Sequence, residues 1–296
     1  MTAHEISALI SLLEDPDQEI YQHVKEKVLN LGHTAISYLG EYKLDHPESD
    51  LINSRCDELL SELKSIGIEK QLNEWLDLNE DDLLEGVLLV AKYQYPELNE
   101  EEVRREMNKI RQDIWLELTE NLTAFEKINV MNHILFEVYG FAGNKKNFHA
   151  PKNSFINAVL ETKSGNPLSL SIIYLITAQS LEIPIYGINL PNHFILAYKD
   201  ENKIIEELRE FSPEIEHKED VLFYINPFGN GTILNKSQID NFLKHLKVEP
   251  EERHFKPCSN KDIVKRLFNN LVYAYQKLGF NEKVDEVIKI ASVLKS

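Results

Sequence analysis

Few stretches of this chain place reactive side chains where they could work together. Ser169 and Ser171 follow a Gly165-Asn166-Pro167 turn, and His193 stands further on at the start of an apolar segment. A serine and a histidine are the parts of a hydrolase or acyl-transferase, in which a base must take the proton of a hydroxyl that is hardly ionised at neutral pH. Two residues apart on a helix, the two hydroxyls point about 200° apart, so at most one can face His193. The plainer expectation is that Ser169 satisfies a backbone group at a helix start and that Ser171 is a small residue for close packing. No G-x-S-x-G elbow occurs anywhere. The two cysteines, Cys56 and Cys258, have neither a Cys-x-x-Cys nor a Cys–His neighbour, and isolated reduced thiols are expected. The other histidines are scattered, whereas a metal site needs three or four converging ligands. No metal is expected.

The elements that must position these residues lie between Gly165 and Tyr198, a stretch with one charge, Glu182. Pro167 falls where a first helical residue would sit, and there a missing N–H costs nothing. The nearly unbroken apolar run 168–181 predicts a helix buried on most sides. Ile183-Pro184 ends it, because the residue before a proline is pushed out of the helical region. Strands are predicted over 185–188 and 194–198, with a break at Pro191-Asn192.

Upstream, Ile6, Leu9, Ile10 and Leu13 fall at helical spacing, and Asp15-Pro16-Asp17 supplies a break and a cap. Ile20, Val24, Val28 and Leu31 form the next face. A helix from about Glu48 carries Leu51, Ile52, Leu59, Leu60, Leu63 and Ile66, with Gly67 read as its stop. Three more helices follow: one ending ahead of Pro96, one through Val103, Met107, Ile110, Ile114 and Leu118, and one from Thr123 through Ile128, Met131, Leu135 and Val138. A short helix is read over 155–160. Downstream come a hairpin turn 199–203 into 204–208 and an acidic excursion 211–220. Strands 221–226 and 232–234 flank a Gly229-Asn230-Gly231 turn, and a helix 236–246 follows. A linker 250–257 leads to a helical pair, 262–278 and 282–294.

Composition narrows the function. A chain of 296 residues with 43% apolar side chains is globular. Its 49 acidic against 32 basic residues give a net charge of −17, the reverse of what nucleic acid or an acidic membrane surface requires. No apolar run reaches the roughly 18–20 residues of a spanning helix, and no basic leader with an apolar core is read. A cytoplasmic protein is expected, with no membrane and no nucleic acid among its partners.

In order along the chain stand Gly140-Phe141-Ala142-Gly143-Asn144, Asn153-Ser154-Phe155, Gly165-Asn166-Pro167-Leu168-Ser169-Leu170-Ser171, Tyr174, Ile183-Pro184, Pro191-Asn192-His193-Phe194 and Asn226-Pro227-Phe228-Gly229-Asn230-Gly231. This order resembles the transglutaminase-like, papain-like superfamily, and more closely its SirB-type branch, over roughly 81–296. Active members of that superfamily use a Cys–His–Asp triad, with the cysteine at a helix N-terminus where the dipole favours thiolate. The resemblance puts His193 at the triad histidine. It puts Asn226 at the acid position, where an amide can orient imidazole but cannot stabilise imidazolium by charge. At the nucleophile's position it puts Pro167. Asn166, Pro167, Asn192 and Tyr174 are the candidate binding residues.

The expectation is a helix-rich α+β protein. A transglutaminase-like core with a small antiparallel sheet (79–248) stands between a helical N-terminal region with a HEAT-like hairpin (1–78) and a tetratricopeptide-like helical hairpin (259–296). Three functions stay open. The first is a degenerate, non-catalytic member that binds a peptide or protein partner in the cleft between the Pro167 helix and the His193 strand. The second is a hydrolase or acyl-transferase using Ser169 or Ser171 with His193 and Asn226. The third is a helical-repeat scaffold. No cofactor is expected, and the resemblance implies a bacterial cytoplasmic setting.

Overall fold

Side-chain caps set most helix starts in the computed structural model, which describes residues 1–201 and 221–295. The predicted strand 204–208 and the acidic excursion 211–220 lie outside the described residues. Thr2, Asp17, Ser49, Asp82, Asn99 and Thr123 each accept a backbone N–H at the start of the helix that follows. Helices α1 (Ala3–Ser11), α2 (Gln18–Leu31) and α3 (Thr34–Asp45) pack on the first half of α4 (Asp50–Leu78). Leu13, Val28, Leu39, Cys56 and Leu59 form an N-terminal cluster there. Ile20, Leu51 and Ile66, expected on the buried faces, are exposed. Their neighbours Tyr21 and Ile52 take the inward positions instead.

Gly67 does not stop α4. A C-terminal glycine cap works through left-handed backbone, and Gly67 is not among the positive-φ residues. The helix runs on for three turns because Ile68, Leu72 and Trp75 have a second core to enter. That core is built by α5 (Leu83–Gln94), α6 (Glu100–Glu117), α7 (Ala124–Asn132), α8 (Ile156–Thr162) and α9 (Pro167–Ser180). Every residue of α9 from Pro167 to Ala178 is buried, so α9 is the central helix that its apolar run predicts. A π-helical stretch, His133–Val138, extends α7. The wider turn shifts the side chains that follow, so Val138, expected on the buried face, is 58% exposed.

Two short strands, β1 (Ala142–Gly143) and β2 (Ser164–Gly165), pair in parallel just ahead of α9. The main sheet is antiparallel in the order β3 (Ile185–Leu190), β4 (His193–Lys199), β5 (Val221–Asn226) and β6 (Thr232–Leu234). Alternation sorts its side chains. Phe194, Leu196 and Tyr198 join the main core, while Ile195 and Ala197 pack with α10 (Lys236–His245) on the other face.

The linker then runs along β3: Ile188 bridges Pro257, and the Cys258 N–H donates to the Gly187 carbonyl at 2.9 Å. The final pair, α11 (Asn260–Leu278) and α12 (Asn281–Ala291), turns at Gly279 (φ 77°). It packs into the main core through Val264, Phe268, Leu271, Val287 and Ile290. Close approach depends on Gly86 of α5, where a Cβ would lie 2.6 Å from the Trp75 ring and 2.9 Å from Val264. The result is the helix-rich α+β fold. Among the described residues, no helix is long and apolar enough to cross a membrane.

Candidate functional site

The start of α9 is fixed by a reciprocal cap. Asn166 Oδ1 accepts the Ser169 N–H at 2.9 Å, and Ser169 Oγ accepts the Asn166 N–H at 3.0 Å. Ser169 Oγ donates in turn to the Asn166 carbonyl at 3.3 Å, and Ser171 Oγ donates to the Pro167 carbonyl at 2.7 Å. Both hydroxyls are buried and bonded to the backbone of their own helix. Neither hydrogen-bonds His193, so the geometry does not bring the serine candidates to the histidine.

Pro167, at the first helical position, lines a cavity of about 380 Å³ together with Asn166, Asn192 and His193. Asn192 makes the turn between β3 and β4 in left-handed backbone (φ 56°), a conformation that asparagine tolerates. The turn sets the Leu190–His193 register. The imidazole lies edge-on to Phe228 (centroids 6.4 Å apart) and tilted against Phe242 (5.6 Å). Burial depresses its proton affinity below the ordinary histidine value, the Asn226 carboxamide opposes this, and the charge of Arg266 adds to the depression. Asn226 Oδ1 is buried with no hydrogen-bond partner among the described residues.

Asn226 is the last residue of β5, and a latch beneath it holds the turn. The Gly231 N–H donates to the Asn226 carbonyl at 3.0 Å. Asn132 Nδ2 donates to the Gly231 carbonyl at 3.0 Å, and Tyr174 donates its hydroxyl to Asn132 Oδ1 at 3.1 Å. Tyr174, a candidate binding residue, is fully buried and does not line the cavity. Its place in the motif marks a core contact.

Sequence reasoning missed the remaining walls. The loop after β1 brings Phe148 and His149, held by Asn153, which is 1% exposed and donates to the carbonyls of Asn147 (2.7 Å) and Phe148 (3.0 Å). His149 packs against Tyr273 with centroids 5.0 Å apart. Helix α11 supplies Arg266, Asn270 and Tyr273. Ser154 was in the motif, and its hydroxyl accepts from Asn166 Nδ2 at 3.4 Å. Local spacing carries no signal for α11, because its residues reach the site only through the tertiary fold.

Neither cysteine lines the cavity. Burial pushes the Cys56 thiol up to about 11 and the Cys258 thiol up to about 12, so neither offers thiolate at neutral pH. Both are free thiols. Among the described residues no cluster of His, Cys, Asp and Glu could hold a metal ion.

A family model described as the transglutaminase-like superfamily matches residues 101–269, from α6 into α11. A UPF0162 protein of Xylella fastidiosa is 26% identical over 204 residues, covering 65% of this chain and 64% of the relative. A UPF0162 protein of Vibrio cholerae is 24% identical over 195 residues, covering 64% and 65%. F-box only protein 21 of Homo sapiens is 32% identical over 161 residues, or 54% of this chain and 23% of that one. The chain thus spans just under two thirds of the length of the UPF0162 relatives. No solved structure matches it significantly.

Proposed function

The chain belongs to the transglutaminase-like superfamily, with UPF0162 (SirB-type) relatives, and from that premise we propose that it binds a peptide or protein segment in the His193 cavity without covalent catalysis. The observation that carries this reading is the start of α9. Pro167 lines the cavity at the position where the superfamily's resemblance places the nucleophile, and the nearby hydroxyls of Ser169 and Ser171 bond their own helix. A neutral imidazole beside an amide suits hydrogen bonding to a peptide better than it suits proton transfer to and from a nucleophile. Aromatic walls from Phe148 and Tyr273 add apolar cover, and a volume of about 380 Å³ lies within the roughly 300–1,000 Å³ of ligand pockets. On this reading 79–248 is the binding core, 1–78 and the tetratricopeptide-like pair 259–296 frame it, and the setting is cytoplasmic.

The test is covalent labelling. A fluorophosphonate probe applied to the full chain at neutral pH should leave Ser169 and Ser171 unmodified by intact mass and peptide mapping. Labelling of either serine that disappears in His193→Ala would establish acyl-transfer chemistry and end the binding-only reading.

A further inference from the structure

The chain carries 49 acidic side chains, yet among the described residues no carboxylate lines the His193 cavity. A cation and hydrogen-bond donors line it instead. Arg266 reaches it from α11, where one guanidinium nitrogen donates to Asn189 Oδ1 and to the Leu190 carbonyl. A guanidinium has five N–H donors in a planar fork, so this anchoring leaves others with no acceptor among the described residues. Arg266 also has no carboxylate partner among the described residues, although burial works against its charge. A cation held this way in an acidic protein costs stability unless something compensates it. Asn192, Asn270 and the N-terminal end of α9 line the same space, and the helix end favours negative charge.

We propose that the cavity seats a carboxylate of its ligand on Arg266, with Phe148, Phe194 and Tyr273 covering the apolar group beside it. The inference rests on the peptide-binding reading and adds the charge of the ligand to it. A peptide C-terminus and an Asp or Glu side chain both offer this chemistry.

Three probes separate the cases on the 296-residue chain: N-acetyl-alanyl-phenylalanine, its C-terminal amide, and N-acetyl-aspartyl-phenylalaninamide. Titration by calorimetry or by NMR at low salt should show at least one acid binding roughly tenfold tighter than the neutral amide, the difference that a charged hydrogen-bonding partner makes. The acid that binds tighter identifies the source of the carboxylate. Arg266→Gln should bring the ratio to about one, and Arg266→Lys should retain part of it, since an ammonium keeps the charge and loses the fork. A merely structural arginine would lower the Tm of Arg266→Gln and leave the ratio untouched. Should that variant fail to fold, loss of the preference at high salt in the unaltered chain decides the matter. Equal binding of acids and amide overturns the carboxylate inference and leaves peptide binding standing. No binding by any of the three overturns both.

Discussion

Burial at His193 makes a pH dependence that belongs to one residue. In the unfolded chain its imidazole takes up a proton near pH 6.5, whereas in the folded chain burial moves uptake lower, against the smaller opposing effect of Asn226. Between those values the unfolded state binds more protons, so stability is present above pH 6.5 and is lost as pH falls through the folded value. The ring packs on Phe228 after β5 and Phe242 of α10, Asn226 of β5 and Arg266 of α11 act on it, and among the described residues no carboxylate lines the cavity to reverse the sign. His193→Gln should therefore flatten the fall in Tm between pH 7.5 and 5.5, and parallel Tm profiles for the two proteins would remove the account. His193 and Asn226 were legible in the sequence because the order of motifs names them, and helical geometry anticipated the commitment of Ser169 to its own cap. Arg266 was not legible. Its partners Asn189 and Leu190 are far off in the chain, and no local spacing records a convergence of that kind.

At the scale of elements, the turn carrying Asn226 is latched from below by α7 and α9. Gly231 has φ 73°, and a Cβ there would fall 1.9 Å from Asn132 Oδ1. Gly231→Ala meets both the left-handed backbone penalty and the displacement of two part-buried hydrogen bonds, a loss of roughly 2–4 kcal/mol. Urea unfolding should show that loss, and the same change in an Asn132→Ala background should cost less, because the obstructing amide is already gone. Additivity of the two substitutions within about 0.5 kcal/mol would mean that Asn132 and Gly231 are not coupled. The glycine turn itself was readable from its residues. Its partners were not: motif order gave Tyr174 a position without a direction, and the π-helical stretch that displaces Val138 leaves no mark on a 3.6-residue pattern.

Across the whole molecule, α4 is one rod through two cores. Its first half closes the N-terminal cluster with Cys56, Leu59 and Leu63, and its second half enters the main core with Ile68, Leu72 and Trp75. Gly67 sits at the joint and reads locally as a stop, because a window of sequence cannot show that a second core lies beyond it. A Cβ at Gly67 meets nothing within 4 Å, so Gly67→Ala should stabilise the chain by about 0.5–1 kcal/mol through helix propensity alone. Gly67→Pro is the opposite case, since a proline inside a helix removes a hydrogen bond and clashes with the preceding turn at about 3 kcal/mol. A polar tie also links the two parts: Ser61 of α4 hydrogen-bonds Glu286 of α12, which accepts from Tyr93 of α5 as well. If α4 carries the mechanical coupling, calorimetry of Gly67→Pro should resolve a separate, earlier transition for the N-terminal cluster, while Gly67→Ala raises the Tm of one transition. A single cooperative transition in the proline variant would assign the coupling to the Glu286 contacts instead, because a broken rod could not transmit it.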